Sequence, residues 1–114
     1  MQIYDTANRL AQEIREAEEY KNYKELKSKI YANPLKKEAL EKFEDLRYKM
    51  QIAQMQGEKV EEEKQKEVMN NLQEQYAKLL EDEEIKKYFE AEIKFNVMIA
   101  DVNKIIAEAI QDVL

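Results

Sequence analysis

The chain contains no cysteine, no histidine and no tryptophan, and its 114 residues include one glycine and one proline. Without cysteine there is no disulfide, thiolate metal site, cysteine-ligated iron–sulfur cluster or thiol nucleophile. Without histidine the chain lacks the commonest acid–base group and the commonest metal ligand. A single glycine cannot build a glycine-rich loop around phosphate, and one glycine with one proline is too few turn residues for an all-β fold. No run of about 18 apolar residues is present to span a membrane. The opening Met1-Gln2-Ile3-Tyr4-Asp5 has neither the basic nor the apolar segment of a secretory signal. These absences predict a cytoplasmic protein with no cofactor, no bound metal and no enzymatic activity.

What is present is helical. Charged residues make up 39% of the chain and apolar ones 44%, too apolar for disorder and patterned as long amphipathic helices in one domain, residues 1–114. Ile3, Ala7, Leu10, Ile14 and Ala17 repeat at 4-3-4-3 spacing, which predicts a helix over 3–17. A second helix over 19–31 opens on Glu18-Glu19 and carries Tyr20, Tyr23, Leu26 or Lys27, and Ile30 on one face, either continuous with the first or kinked from it. Asn33-Pro34 is the sharpest boundary, because asparagine caps a helix whose first turn accepts proline. The helix it starts, 34–56, has a core row of Ala39, Phe43, Leu46, Met50 and Ala53, and Gly57 is its expected left-handed C-cap. Glu61-Glu62-Glu63 then open a fourth helix reaching about residue 80 through Val68, Leu72, Tyr76 and Leu79, so that the third and fourth form an antiparallel hairpin.

The last segment is the most regular. Ile85, Tyr88, Glu92, Phe95, Ile99, Val102, Ile106, Ala109 and Val113 alternate 3-4 spacing, and Glu92 alone breaks the apolar row. Ile93, Ala100, Ala107 and Leu114 widen the arc on one side, and Phe89, Asn96, Asn103 and Ile110 on the other. One partner helix cannot cover such an arc, which predicts a homodimer with Phe95, Ile99, Val102, Ile106 and Ile110 at its interface. Asn96 and Asn103 are either register-fixing polar residues within that interface or exposed edge positions. The segments Glu18–Glu25 and Glu83–Glu90 echo one another, as two helix starts built alike.

The order of Ile3-Tyr4-Asp5, Glu18-Glu19-Tyr20, Phe43-Glu44-Asp45-Leu46-Arg47, Gln54-Met55-Gln56-Gly57-Glu58-Lys59-Val60 and Glu90-Ala91-Glu92 resembles the YlbF/YmcA/YheA family, its YheA-like branch in particular. The resemblance runs from residue 3 to about 110. It implies a small all-helical cytoplasmic bacterial protein that forms an intertwined or segment-exchanged dimer. It further implies kinship with protein adaptors that bind a partner and modulate the RNA-processing endonuclease RNase Y, with effects on biofilm, competence and sporulation. Some of those cousins hold an iron–sulfur cluster on C-terminal cysteines, and this chain has none to offer.

Other functional classes rest on weaker patterns. Glu81-Asp82-Glu83-Glu84 could attract a cation, but four consecutive acids on a helix start point in several directions and suit the helix dipole better. Glu13 with Glu16, and Glu63 with Glu67, have the spacing of di-metal bundles but lack the histidines those sites use. Residues 20–50 hold nine basic and five acidic side chains, a net of +4, and residues 51–92 six and twelve, a net of −6. The basic stretch could serve an RNA-associated protein, yet a hairpin of the third and fourth helices would neutralise it, and a net charge of −6 opposes direct nucleic-acid binding. The leading expectation is a non-catalytic adaptor that engages an unidentified cytoplasmic protein through Tyr20, Tyr23, Lys24 and Lys27, with linkage to RNA processing taken from the resemblance. The alternatives are an RNA-associated protein using residues 20–50, a purely structural homo-oligomer and, last, an enzyme built on carboxylates and tyrosines.

Overall fold

The computed structural model describes residues 1–56 and 61–114, and every regular element among them is helical. In chain order these are α1 (Gln2–Glu16), α2 (Glu18–Tyr31), α3 (Pro34–Gln56), α4 (Glu62–Leu80) and α5 (Glu83–Ile110), followed by one 3-10 turn, Gln111–Val113. The C-cap expected at Gly57 lies outside the described residues. Two compact units are formed, one from Met1–Ser28 with Lys87–Leu114, the other from Lys29–Lys86.

α1 and α2 are separate helices. Ala17 between them is extended, with φ −70° and ψ 145°, and needs no glycine because φ stays negative. Its N–H still reaches the Ile14 carbonyl at 3.1 Å, and its own carbonyl accepts from Lys21 N–H at 3.1 Å, so the break costs few backbone hydrogen bonds. The acidic pair Glu18-Glu19 opens α2 immediately after it.

The second unit is a helical hairpin with capped ends. Asn33 Oδ1 accepts from the N–H groups of Leu35 at 3.0 Å and Lys36 at 3.3 Å, with Pro34 in the first helical position where its missing N–H is not needed. α3 and α4 run antiparallel, as the pairing shows. Lys36 meets Asp82, the Phe43 ring stacks on Tyr76 with centroids 5.7 Å apart, and Met50 shares a groove with Met69. Ile30 and Leu40 are completely buried, Phe43, Ala53, Leu79 and Ile85 nearly so, and each full burial of a large aliphatic chain contributes about 1.5–3 kcal/mol. Ala39, Leu46 and Met50 of the expected core row are half-buried flanks, and Leu40, one residue off that row, takes the centre.

The basic stretch is neutralised mainly within α3 itself. Lys37–Glu41, Lys42–Glu38, Arg47–Glu44 and Lys49–Asp45 are all i,i+3 or i,i+4 pairs, and Lys36 reaches across to Asp82. Neighbours one helical turn apart meet without any tertiary geometry, so the local pairing forms first and leaves little charge for the opposite helix.

Asp82 joins the hairpin to α5. Its Oδ1 accepts from Glu84 N–H at 2.9 Å and Ile85 N–H at 3.2 Å, which caps α5, and its Oδ2 lies 3.1 Å from the Lys36 ammonium, itself 3.5 Å from Glu84. Partial burial pushes the Asp82 carboxyl up, but the Ile85 N–H, the Lys36 ammonium and the Glu84 N–H outweigh it and hold the group below its ordinary 3.8. Hydrogen bonding to Asp82 raises Lys36 above its ordinary 10.5, against a smaller opposing effect of desolvation. Asp82 therefore stabilises the fold at pH values above about 4 and loses that contribution as pH falls through its lowered pKa. Lys36 contributes fully below 10.5 and loses its contribution as pH rises through its raised pKa. Asp82→Ala should cost about 1 kcal/mol in urea unfolding at pH 7 through the lost cap, while Asp82→Asn, which keeps an acceptor, should cost only a few tenths. Equal losses from the two variants would assign the contribution to charge instead.

Candidate functional site

In the first unit, α2 meets α5 through aromatic rings. Tyr23 packs on Tyr88 and on Phe95, each with centroids 5.4 Å apart, and Tyr20 lies 6.2 Å from Phe95. The helices are antiparallel here too, since the later tyrosine on α2 meets the earlier one on α5. The Tyr23 hydroxyl donates to Glu92 Oε2 at 3.3 Å and lies 3.5 Å from the Tyr88 hydroxyl. This accounts for Glu92, the one charge in the apolar row: it stands opposite a tyrosine and supplies a charged acceptor for its half-buried hydroxyl. Tyr88, Phe89 and Ala91 are buried around this contact. Both α2 and α5 open on glutamates, at Glu18 and Glu83, as the echo between the segments predicts.

The residues expected at a partner surface are thus divided. Tyr20 and Tyr23 are half-buried, with their rings turned to α5. Lys24 and Lys27 are exposed, and the Lys24 ammonium and the Arg15 guanidinium each stand 5.8 Å from the centroid of the Tyr20 ring, within cation–π range. Of the residues expected at a dimer interface, Phe95 is half-buried under α2, Ile99 and Val102 are half-buried, and Ile106 and Ile110 are 51% and 45% exposed. Asn96 and Asn103 are both exposed in this chain.

Beyond Val102 every residue of α5 is exposed, and α1 has no buried residue, although Ile3, Ala7, Leu10 and Ile14 align along it. A second apolar surface was not singled out from the sequence. Ile93, Val97 and Ile105, 58%, 54% and 69% exposed, line a groove with Met98 and Val102, and Glu19, Lys94 and Asp101 stand in the same lining. At about 100° per residue, Ile93 and Val97 lie roughly opposite Phe95 on the helix. The signal was the i,i+4 ladder 93, 97, 101, 105, hidden because Asp101 interrupts it and the heptad row drew attention elsewhere.

Among the described residues no group of three or more aspartates or glutamates is placed to hold a metal ion, and no helix is long and apolar enough to cross a membrane. What the two units present is apolar and charged helix surface.

Comparison with known proteins agrees with this architecture. The family described as control of competence regulator ComK, YlbF/YmcA, matches residues 3–111. A UPF0342 protein of Alkalihalophilus pseudofirmus is 38% identical over 112 residues, covering 97% of this chain and 91% of its own. One from Staphylococcus aureus is 34% identical over 111 residues, covering 97% and 94%. Among solved structures, a DUF964 protein of unknown function from Bacillus stearothermophilus superposes with a TM-score of 0.82 at 17% identity, covering 98% of this chain and 95% of its own. Bacillus subtilis RicA in complex with RicF gives 0.61 at 16% identity, over 97% and 95%. At these identities the structures speak for the fold.

The Tyr23–Glu92 contact is testable by a double-mutant cycle. Tyr23→Phe and Glu92→Leu should each destabilise the protein, and the double variant should be less destabilised than their sum by about 1 kcal/mol. Additive losses in urea unfolding would show that the two side chains do not depend on each other.

Proposed function

The chain belongs to the YlbF/YmcA family, and on that premise we propose that it is a non-catalytic adaptor of the cytoplasm, acting as a homodimer that engages another protein. The observation that carries this reading is the uncovered apolar surface of α1 and of the distal half of α5, with Ile3 65%, Ile106 51%, Ile110 45% and Val113 79% exposed. Soluble chains rarely leave so much contiguous apolar surface in water, and a second chain is the usual cover. In the dimer the row Phe95, Ile99, Val102, Ile106 and Ile110 provides the contact, its proximal end already seated on α2 and its distal end open to the second copy.

The family comparison supports regulation as the role, and a neighbour of the same fold, RicA, has been solved in complex with RicF. The link to RNA-processing machinery, reached through protein contact, is what the sequence resemblance implies for the partner. A net charge of −6 and the local pairing of the α3 lysines argue against a phosphate-binding surface. The partner meets α2, where Lys24 and Lys27 stand at the surface, Lys24 over the Tyr20 ring.

Reversal of Lys24 and Lys27 to glutamate should reduce partner capture from native cytoplasm severalfold, with helicity unchanged and the mass by light scattering still about 27 kDa, twice the 13.7 kDa chain. Capture that survives the reversal, or crosslinking that recovers only this chain, would favour a self-contained structural oligomer.

A further inference from the structure

The groove on α5 is not accounted for by the dimer proposed above. Its floor, from Ile93 to Ile105, spans twelve residues of helix, roughly 18 Å, which is the length of about three turns of a helix laid against it. Ile93 and Val97 face away from the Phe95–Ile110 row, so a second copy seated on that row leaves them in water, and Val102 is the residue the two surfaces share. The lining carries Glu19 from α2 and Asp101 from α5 against a single Lys94. Neither acid is in an ion pair among the described residues, whereas Lys104, one turn beyond Asp101, is paired with Glu108.

We infer that this groove is a docking site for a basic amphipathic helix of another protein, one with apolar residues at i, i+4 and i+7 or i+8 against Ile93, Val97 and Ile105 and with lysine or arginine toward Glu19 and Asp101. The inference rests on the adaptor reading and names the chemistry of a partner for it. Charge selects this occupant over a second copy. The chain's own helices with uncovered apolar faces are α1, with Asp5, Glu13 and Glu16 against Arg9 and Arg15, and distal α5, with Asp101 and Glu108 against Lys104; both are slightly acidic and would meet Glu19 and Asp101 without complement. The net charge of −6 steers basic helices toward the molecule and repels acidic ones. Apolar contact along the floor supplies affinity, and the two acids set orientation.

The test uses the full chain and a fluorescent leucine–lysine amphipathic peptide of about 14 residues, with the matching leucine–glutamate peptide as comparison. The lysine peptide should bind saturably, one per chain, and the glutamate peptide should not. Val97→Asp makes the protein more acidic, so adhesion by charge alone would strengthen; docking in the groove instead predicts about a tenfold loss of affinity. Ile105→Gln, which adds no charge, should weaken binding in the same direction, and Asp101→Lys should weaken it and flatten its salt dependence. Binding that Val97→Asp strengthens or leaves alone would overturn the inference, as would equal binding of the glutamate peptide. A fall in the mass of the free protein on Val97→Asp would also overturn it, by assigning the groove to a second copy. If the peptide results fail while native partner capture still depends on Lys24 and Lys27, the groove is wrong and the adaptor reading stands.

Discussion

The constraint on which the rest of this protein depends is the covering of α5. A helix of 28 residues, roughly 42 Å long, carries apolar side chains over much of its circumference and has too little chain around it to bury them. Its early residues are served well: Ile85, Tyr88, Phe89 and Ala91 are buried, and the Tyr23 hydroxyl answers the one charge in the row, Glu92. Its later residues are not, and from residue 103 onward all of them are exposed. The hydrophobic effect acts on that difference as strongly as on any folding core, so the uncovered length is where association gains most.

The same imbalance separates the two units by role. The hairpin of α3 and α4 is held by the Asn33 cap of α3, local ion pairs along α3, and a small core centred on Ile30 and Leu40. It needs nothing further to be a stable platform. The unit made from the chain's two ends holds the exposed apolar rows, the exposed lysines of α2 and the acid-lined groove. A regulator working by contact requires this division, since a surface that must bind cannot also be buried at home.

Much of the fold was legible in the sequence because helices announce themselves by period and by caps. Asn33-Pro34 fixed the start of α3 through two side-chain hydrogen bonds, and the acidic run at 81–84 resolved into the cap of α5 rather than a cation site. Less legible were features that depend on another helix. Glu92 looked like a flaw until Tyr23 was placed opposite it, and the tyrosines expected to reach a partner proved to spend their rings on α5. The acidic pair Glu18-Glu19 marked the start of α2, but whether the chain ran on or broke at Ala17 was left open, because an extended residue with negative φ is open to any side chain. The row Phe95 to Ile110 was visible as a heptad pattern, but which part of it α2 already occupies is a tertiary fact that periodicity does not contain. The groove was missed for a related reason, since Asp101 breaks its row at the level of composition while standing at its edge in space.

The account's central claim is that the surface left open by one chain is covered by another. Amide hydrogen exchange measured across protein concentration tests it most directly, because it reads each helix separately. Protection in Gln2–Glu16 and in residues 99–110 should rise as concentration passes through the association range, while Pro34–Gln56 and Glu62–Leu80 exchange at constant rates. Protection in α1 and distal α5 that is independent of concentration, down to where light scattering finds a monomer, would contradict it.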